Sequence, residues 1–256
     1  PPKRWSSLSL SFWFFVLLLV VSLFQVDWPD RSVNIWQQAL RFFGAFFPPD
    51  LSILPQVLRA LWETVQIATI ATAAGALLSF GFALLASKGV APGGLVIPTR
   101  MALNAIRTLP SLLWALFAVA LMGANTLAGI AALTFYAAGY LGKFFSETFE
   151  AADFRAARSL RRAGASRWQA MQYGLWPSLR PQLWSQILWM LEYNIRSASI
   201  IGYVGAGGIG LQLLRYQEFG QWDRFATVLI CIFAVVVGLD VLSSRIRRRL
   251  TEESRR

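Results

Sequence analysis

The sequence predicts an all-α membrane protein of about six transmembrane helices, and three observations carry that expectation. First, 56% of the 256 residues are hydrophobic and only 14% are charged, with a mean hydropathy of +0.50. That leaves too little polar surface to cover a water-soluble core. Second, apolar runs long enough for a hydrocarbon core of about 30 Å fall at Leu8–Val26, Val65–Ala86, Pro98–Met122, Ala124–Phe145, Leu183–Val204 and Phe225–Leu242. Third, the net charge of +11 is not spread evenly. Lys3 and Arg4, Lys88, the arginines from Arg155 to Arg180, and those from Arg245 to Arg256 all fall on one side of a six-pass chain. This is the positive-inside pattern, so both termini are expected to be cytoplasmic and the charge is not read as a nucleic-acid surface.

Residues 1–59 are expected to hold the first transmembrane helix and an external interfacial segment. Lys3, Arg4 and the apolar run resemble a signal peptide, but no small-x-small cleavage site follows Val26, so this span is expected to be retained. Trp36, Phe42, Phe43, Phe46 and Phe47 precede Pro48-Pro49, which predicts an amphipathic helix over Val33–Phe47 at the membrane interface. Residues 60–245 form the transmembrane core, with a cytoplasmic loop at 149–181, and 246–256 form a basic cytoplasmic tail. In the second span Gly75, Ser79 and Ala83 recur every fourth residue, and Ala138 and Gly142 do so in the fourth. Small residues at that spacing let helix backbones approach closely.

The third span carries Arg100, Asn104, Arg107 and Ser111 at helical spacing, which puts them on one face, and Pro110 bends the helix just beyond Arg107. Inserting an arginine at bilayer depth costs about 2.5 to 3.5 kcal/mol even on the translocon scale, so Arg107 is a candidate functional residue. The fifth span holds Glu192, Asn194, Arg196 and Ser199. Glu192 and Arg196 are spaced to pair within the helix, and Asn194 points toward a neighbouring helix. The substrate-pathway candidates are therefore Arg107, Ser111, Asn104, Glu192, Arg196 and Ser199.

Several functions are excluded. With no histidine, intramembrane Ser-His proteases, HExxH metalloproteases and His-ligated haem proteins lack an essential residue. The run Gly205–Gly210 formally matches GxGxxG, but a charged transmembrane segment precedes it instead of a strand, so it is read as a tight re-entrant or hinge loop. No metal site or catalytic constellation is found, and no cofactor is expected in this chain. The 149–181 loop is basic and glycine-broken, with Trp168, Met171 and Tyr173 interleaved, which suits docking of a soluble partner.

Four segments together resemble one family. They are Arg107-Thr-Leu-Pro-Ser-Leu-Leu-Trp114, Ala138-Gly-Tyr-Leu-Gly-Lys143, Gly164-Ala-Ser-Arg167 through Pro177, and Glu192-Tyr-Asn-Ile-Arg196 running into the glycine loop. Over residues 60 to 250 the chain resembles the permease subunit of phosphonate ABC importers, and equally that of the phosphite importers. The resemblance implies a type I importer in the bacterial inner membrane, built from two permease copies in a homodimer. Two cytoplasmic ABC ATPases would carry ATP and Mg, and an extracytoplasmic phosphonate-binding protein would deliver the solute. It implies further that Gly164, Ala165, Ser166, Arg167 and Pro177 belong to the EAA loop that seats in an ATPase groove, with Arg158 where that motif is usually acidic. Because Gly205, Gly207, Gly208 and Gly210 follow a span running outward, they are expected at the external gate. The alternative cargo is another small solute such as an amino acid or betaine.

Overall fold

A computed structural model describes residues 7–26, 34–88 and 91–253. The described chain is helical throughout and divides into two compact units, 1–44 and 45–256. In the first, α1 (Ser7–Gln25) is a 19-residue helix whose side chains from Leu10 onward are almost all exposed and apolar. Such a helix is hydrophobic all round and suits lipid. The amphipathic helix α2 (Ile35–Gly44) follows, with Trp36 and Phe43 exposed and Arg41 in its last turn. It is shorter than the expected Val33–Phe47, and Val33 lies outside the described residues.

In the second unit, Asp50 caps a 3-10 turn (Leu51–Ile53) that leads into α3 (Leu54–Ala86), with Pro55 in the first turn where its missing N–H costs nothing. Then come α4 (Gly93–Thr108), α5 (Ser111–Met122) and α6 (Thr126–Glu150). A short helical hairpin follows: α7 (Arg155–Arg162), the single turn α8 (Arg167–Gln169) and a π-helical stretch Ala170–Leu175. The chain ends with α9 (Trp176–Ile201), a 3-10 turn (Gly202–Val204), α10 (Gly210–Glu218) and α11 (Trp222–Glu253).

Among the described residues, three helical stretches are long and apolar enough to cross a membrane: Leu51–Ala86, Thr126–Glu150 and Trp222–Arg249. A fourth appears if α4 and α5 count as one broken span. The other two expected spans are helices of a different kind. The described apolar part of α1 is Leu10–Gln25, and α9 is 26 residues long but polar, with Gln182, Gln186, Glu192, Asn194 and Arg196. The third span is also not one bent helix. Leu109 and Pro110 are extended, and the axis turns by 91° between α4 and α5. Pro110 cannot donate to the α4 ladder, and the Trp114 indole N–H takes up the freed Ile106 carbonyl at 3.0 Å.

The small-residue faces of α3 and α6, where close approach is expected, meet each other. A Cβ on Gly75 would lie 2.6 Å from Ala137 Cβ, and the Ser79 hydroxyl donates to the Ala138 carbonyl at 3.2 Å. On another face of α6, Gly139 and Gly142 admit Ile106 and Leu103 of α4. Asn194 of α9 is fully buried and its amide donates to Thr72 of α3 at 2.9 Å. An interhelical hydrogen bond of this kind in apolar surroundings fixes the register of two helices. At one end of the unit, Arg224 and Thr227 of α11 hold Asp50 through a 3.1 Å ion pair and a 2.8 Å hydrogen bond to its carbonyl.

Candidate functional site

The α4–α5 break organises the polar stripe. Asn104 is exposed one turn before Arg107 on α4, and Arg100 two turns before pairs with Glu150 and donates to the Ala86 carbonyl. Ser111 leaves that face, correcting the expectation of a single stripe. The 91° turn intervenes, and Ser111 opens α5 as a buried residue. Arg107 lies in the last turn of α4, where a cation favours the helix dipole. Its guanidinium carbon sits 4.4 Å from the centre of the Tyr140 ring and 5.6 Å from that of Phe144, which is cation–π geometry. Its buried Nε has no hydrogen-bond acceptor, and Arg107 joins no ion pair among the described residues.

The α9 candidates lie in a separate cluster. Glu192 is held between Arg196 at 3.1 Å and Arg247 of α11 at 3.5 Å. A carboxylate shared by two guanidinium groups offsets part of its desolvation cost. Glu192 is thus committed away from Arg107, and in the stretch from residue 246 the chain continues α11 through Glu253. Ser199 is buried and donates to the Ile195 carbonyl of its own helix.

The 202–210 loop is closely packed. Gly205, Gly207 and Gly208 adopt positive φ, and a Cβ on Gly208 would lie 2.7 Å from Thr64 Oγ1. That hydroxyl accepts the Ile209 N–H at 2.8 Å. Glu63 accepts from Thr126 at 2.7 Å, directly beside Gly207. Gly210 meets the Ser199 carbonyl at 2.4 Å from its would-be Cβ, and Ala206 is fully buried against Gly129 of α6. The run read as a tight re-entrant or hinge loop forms a packed seam between α3, α6 and α9.

In the 149–181 loop, Gly164 has φ +92° and no neighbour within 4 Å of a would-be Cβ. Ala165 N–H bonds the Leu160 carbonyl at 3.0 Å, closing α7 by a glycine-dependent terminus. Ser166 and Gln169 form a capping box that starts the next turn. The Arg155 backbone N–H and guanidinium hold the Asp153 carboxyl below its usual value. Arg167, Trp168, Met171 and Tyr173 stay exposed, and Pro177 lies in the first turn of α9.

The residues that sequence reasoning missed are Tyr136, Tyr140 and Tyr193, with Glu63, Thr64 and Thr126. Tyr136 and Tyr140, like Trp189 and Tyr193, are four apart, so their shared faces were visible in the sequence. Their meeting across α6 and α9 was not.

Residues 96–252 match the family of binding-protein-dependent transport system inner membrane components, and the chain belongs to that family. It is the permease subunit of an ABC importer, an inner-membrane transport component and not an enzyme, which works with an ATPase and a substrate-binding protein. It is 34% identical to the phosphite transport system permease protein PtxC of Stutzerimonas stutzeri, over 80% of this chain and 75% of that one. It is 32% identical to the phosphate-import permease protein PhnE of Mycolicibacterium smegmatis, over 92% of this chain and 43% of that longer one. A structure of the MetNI methionine ABC transporter, inward-facing, superimposes with a TM-score of 0.68 at 21% identity. It covers 78% of this chain and 98% of that one, so the fold is that of a type I importer permease.

Proposed function

We propose that this permease conducts a phosphorus oxyanion, phosphonate or phosphite being the favoured cargo, and that Arg107 lies on its path. The observation that carries the reading is the uncancelled charge of Arg107. Glu192 is engaged by Arg196 and Arg247, and Glu150 by Arg100, so neither carboxylate neutralises it. A guanidinium presents planar, paired donors that match the oxygens of a phosphorus oxyanion. The break at Pro110 adds to this, because discontinuous membrane helices present backbone groups and helix ends to a solute. Four residues beyond Arg107, Ser111 begins α5, whose N-terminus is the positive end of its dipole. The names of the two curated relatives point to the same class of solute.

In this reading two copies of the chain form the pore, with both termini cytoplasmic and a phosphonate-type binding protein docked outside. Asn104 continues the path from Arg107. The Glu192–Arg196 pair, with Ser199 beside it, lies at the edge of that path, and Arg247 ties Glu192 to α11. The exposed face of Arg167, Trp168, Met171 and Tyr173, presented by the Gly164 turn through Pro177, receives the ATPases, which bind ATP and Mg. Gly205, Gly207, Gly208 and Gly210 form the external gate in its packed state. Uptake of phosphite and methylphosphonate by the complex reconstituted with its ATPases and binding protein tests the reading. Arg107→Gln is expected to assemble normally and lose at least about 10-fold in uptake, the size of a lost charge-assisted hydrogen bond. Arg196→Gln is expected to lower the yield of complex instead. Normal uptake by Arg107→Gln would remove that residue from the path.

A further inference from the structure

Beside Arg107 the structure gathers three tyrosines, two from α6 and one from α9. Tyr136 and Tyr140 stand one turn apart on α6, and Tyr193 faces them from α9. The Tyr136 and Tyr193 rings stack at 5.2 Å and 14°, and Trp189 extends the stack from Tyr193 at 5.9 Å. Tyr140 lies 4.8 Å from Tyr136 and 6.4 Å from Tyr193. The Arg107 guanidinium rests on the Tyr140 ring at 4.4 Å. The Tyr193 hydroxyl donates to that of Tyr136 at 2.8 Å.

Each phenol brings one hydrogen. Tyr193 spends its hydrogen on Tyr136, which leaves the hydrogens of Tyr136 and Tyr140 to donate outside the trio. Among the described residues no carboxylate, amide or backbone carbonyl accepts from any of the three. The Arg107 Nε–H beside them is buried and also without an acceptor. Polar groups buried in proteins are nearly always paired. The junction of α4, α6 and α9 thus brings a buried guanidinium N–H with no acceptor beside tyrosine hydroxyls that have hydrogens to donate.

We infer that Tyr136, Tyr140 and Tyr193 form with Arg107 a binding site for a tetrahedral oxyanion. The guanidinium is held in place by the Tyr140 ring, and a tyrosine hydroxyl donates to an anion oxygen. This deepens the proposed function and rests on its cargo class. The stack fixes both kinds of donor before the anion arrives, so little ordering remains to be done on binding.

Replacing tyrosine by phenylalanine keeps the ring, the stacking and the cation–π contact and removes only the donor. The test is phosphite uptake by the whole transporter in proteoliposomes, per assembled complex, for Tyr140→Phe and Tyr193→Phe in wild-type and Arg107→Gln backgrounds. At least one tyrosine variant is expected to lose about 10-fold in uptake with unchanged yield and thermal midpoint. In the Arg107→Gln background the same change should cost less than about 2-fold, because the two donors serve one anion. Wild-type uptake by both tyrosine variants, a loss that merely follows the amount of assembled complex, or full additivity with Arg107→Gln would overturn the site. Loss in Arg107→Gln alone would leave the proposed function standing without the tyrosines. Failure of the wild-type transporter to carry phosphite, methylphosphonate or phosphate would remove both.

Discussion

Two loops of this permease use glycine for different physical ends. In the 202–210 loop, Gly202, Gly207, Gly208 and Gly210 each leave less than 3.0 Å between a would-be Cβ and a neighbouring atom, and two of the four also have positive φ. In the 149–181 loop, Gly164 has positive φ and open space around it. The first set is required by packing, the second by backbone conformation alone. Glycine density in a sequence therefore does not measure mobility. The richer glycine run is the more tightly enclosed, and the isolated glycine is the one with room to move.

The largest effect should follow from the most enclosed position without unusual backbone. Gly210 begins α10, and its would-be Cβ lies 2.4 Å from the Ser199 carbonyl and 2.7 Å from Gly202 Cα. Both obstacles are backbone and cannot turn aside. Gly210→Ala is expected to destabilise the assembled permease by about 3 kcal/mol, the upper end of overpacking costs. A drop in thermal midpoint and in the yield of monodisperse complex would show it. A variant of normal stability would mean that the 202–210 seam opens readily and that the packed state is only one of its arrangements.

A smaller effect is expected from the one packed glycine of the other loop. Gly174 lies in the π-helical stretch where it crosses α7, with Ala157 Cα and N each 2.7 Å from its would-be Cβ. The hairpin is exposed and joined to the spans at both ends, so it can yield by separating its two arms. Gly174→Ala should cost about 1 to 2 kcal/mol locally. Faster amide exchange confined to 155–175 would report it, with the thermal midpoint of the membrane core unchanged. Loss of the core as well would break the distinction between the two loops.

Most of the fold was legible because membrane solvent imposes simple rules. Apolar length gave the positions of α3, α6 and α11, and small-residue spacing marked faces of close approach at Gly75, Ser79 and Ala138, though not that these two faces meet each other. The Glu192–Arg196 pair and the Asn194 interhelical bond followed from helical periodicity. Pro110 announced a bend in the third span, but not the 91° break between α4 and α5. The site was legible only as far as Arg107. Its company of Tyr136, Tyr140 and Tyr193 depends on the rotation of α6 against α9, and no local spacing encodes that. Arg247 joined Glu192 for the same reason: a long-range contact between α9 and α11 turned a two-residue pair into a three-residue cluster.

The last effect, no larger than that at Gly174, is the most discriminating, because it isolates backbone conformation from space. At Gly164 a Cβ meets nothing, so the whole cost of Gly164→Ala is the left-handed conformation, about 1 to 2 kcal/mol. Asparagine visits that region more readily than alanine, so Gly164→Asn should recover part of the loss. A packing glycine cannot show this order, since asparagine is larger than alanine and would be worse at Gly207 or Gly208. The measurement is ATPase retention during purification of the complex, with Gly164→Asn expected between wild type and Gly164→Ala. If asparagine were the more damaging of the two, Gly164 would have to be enclosed in the assembled transporter. The open space seen here would then be the seat of the partner itself.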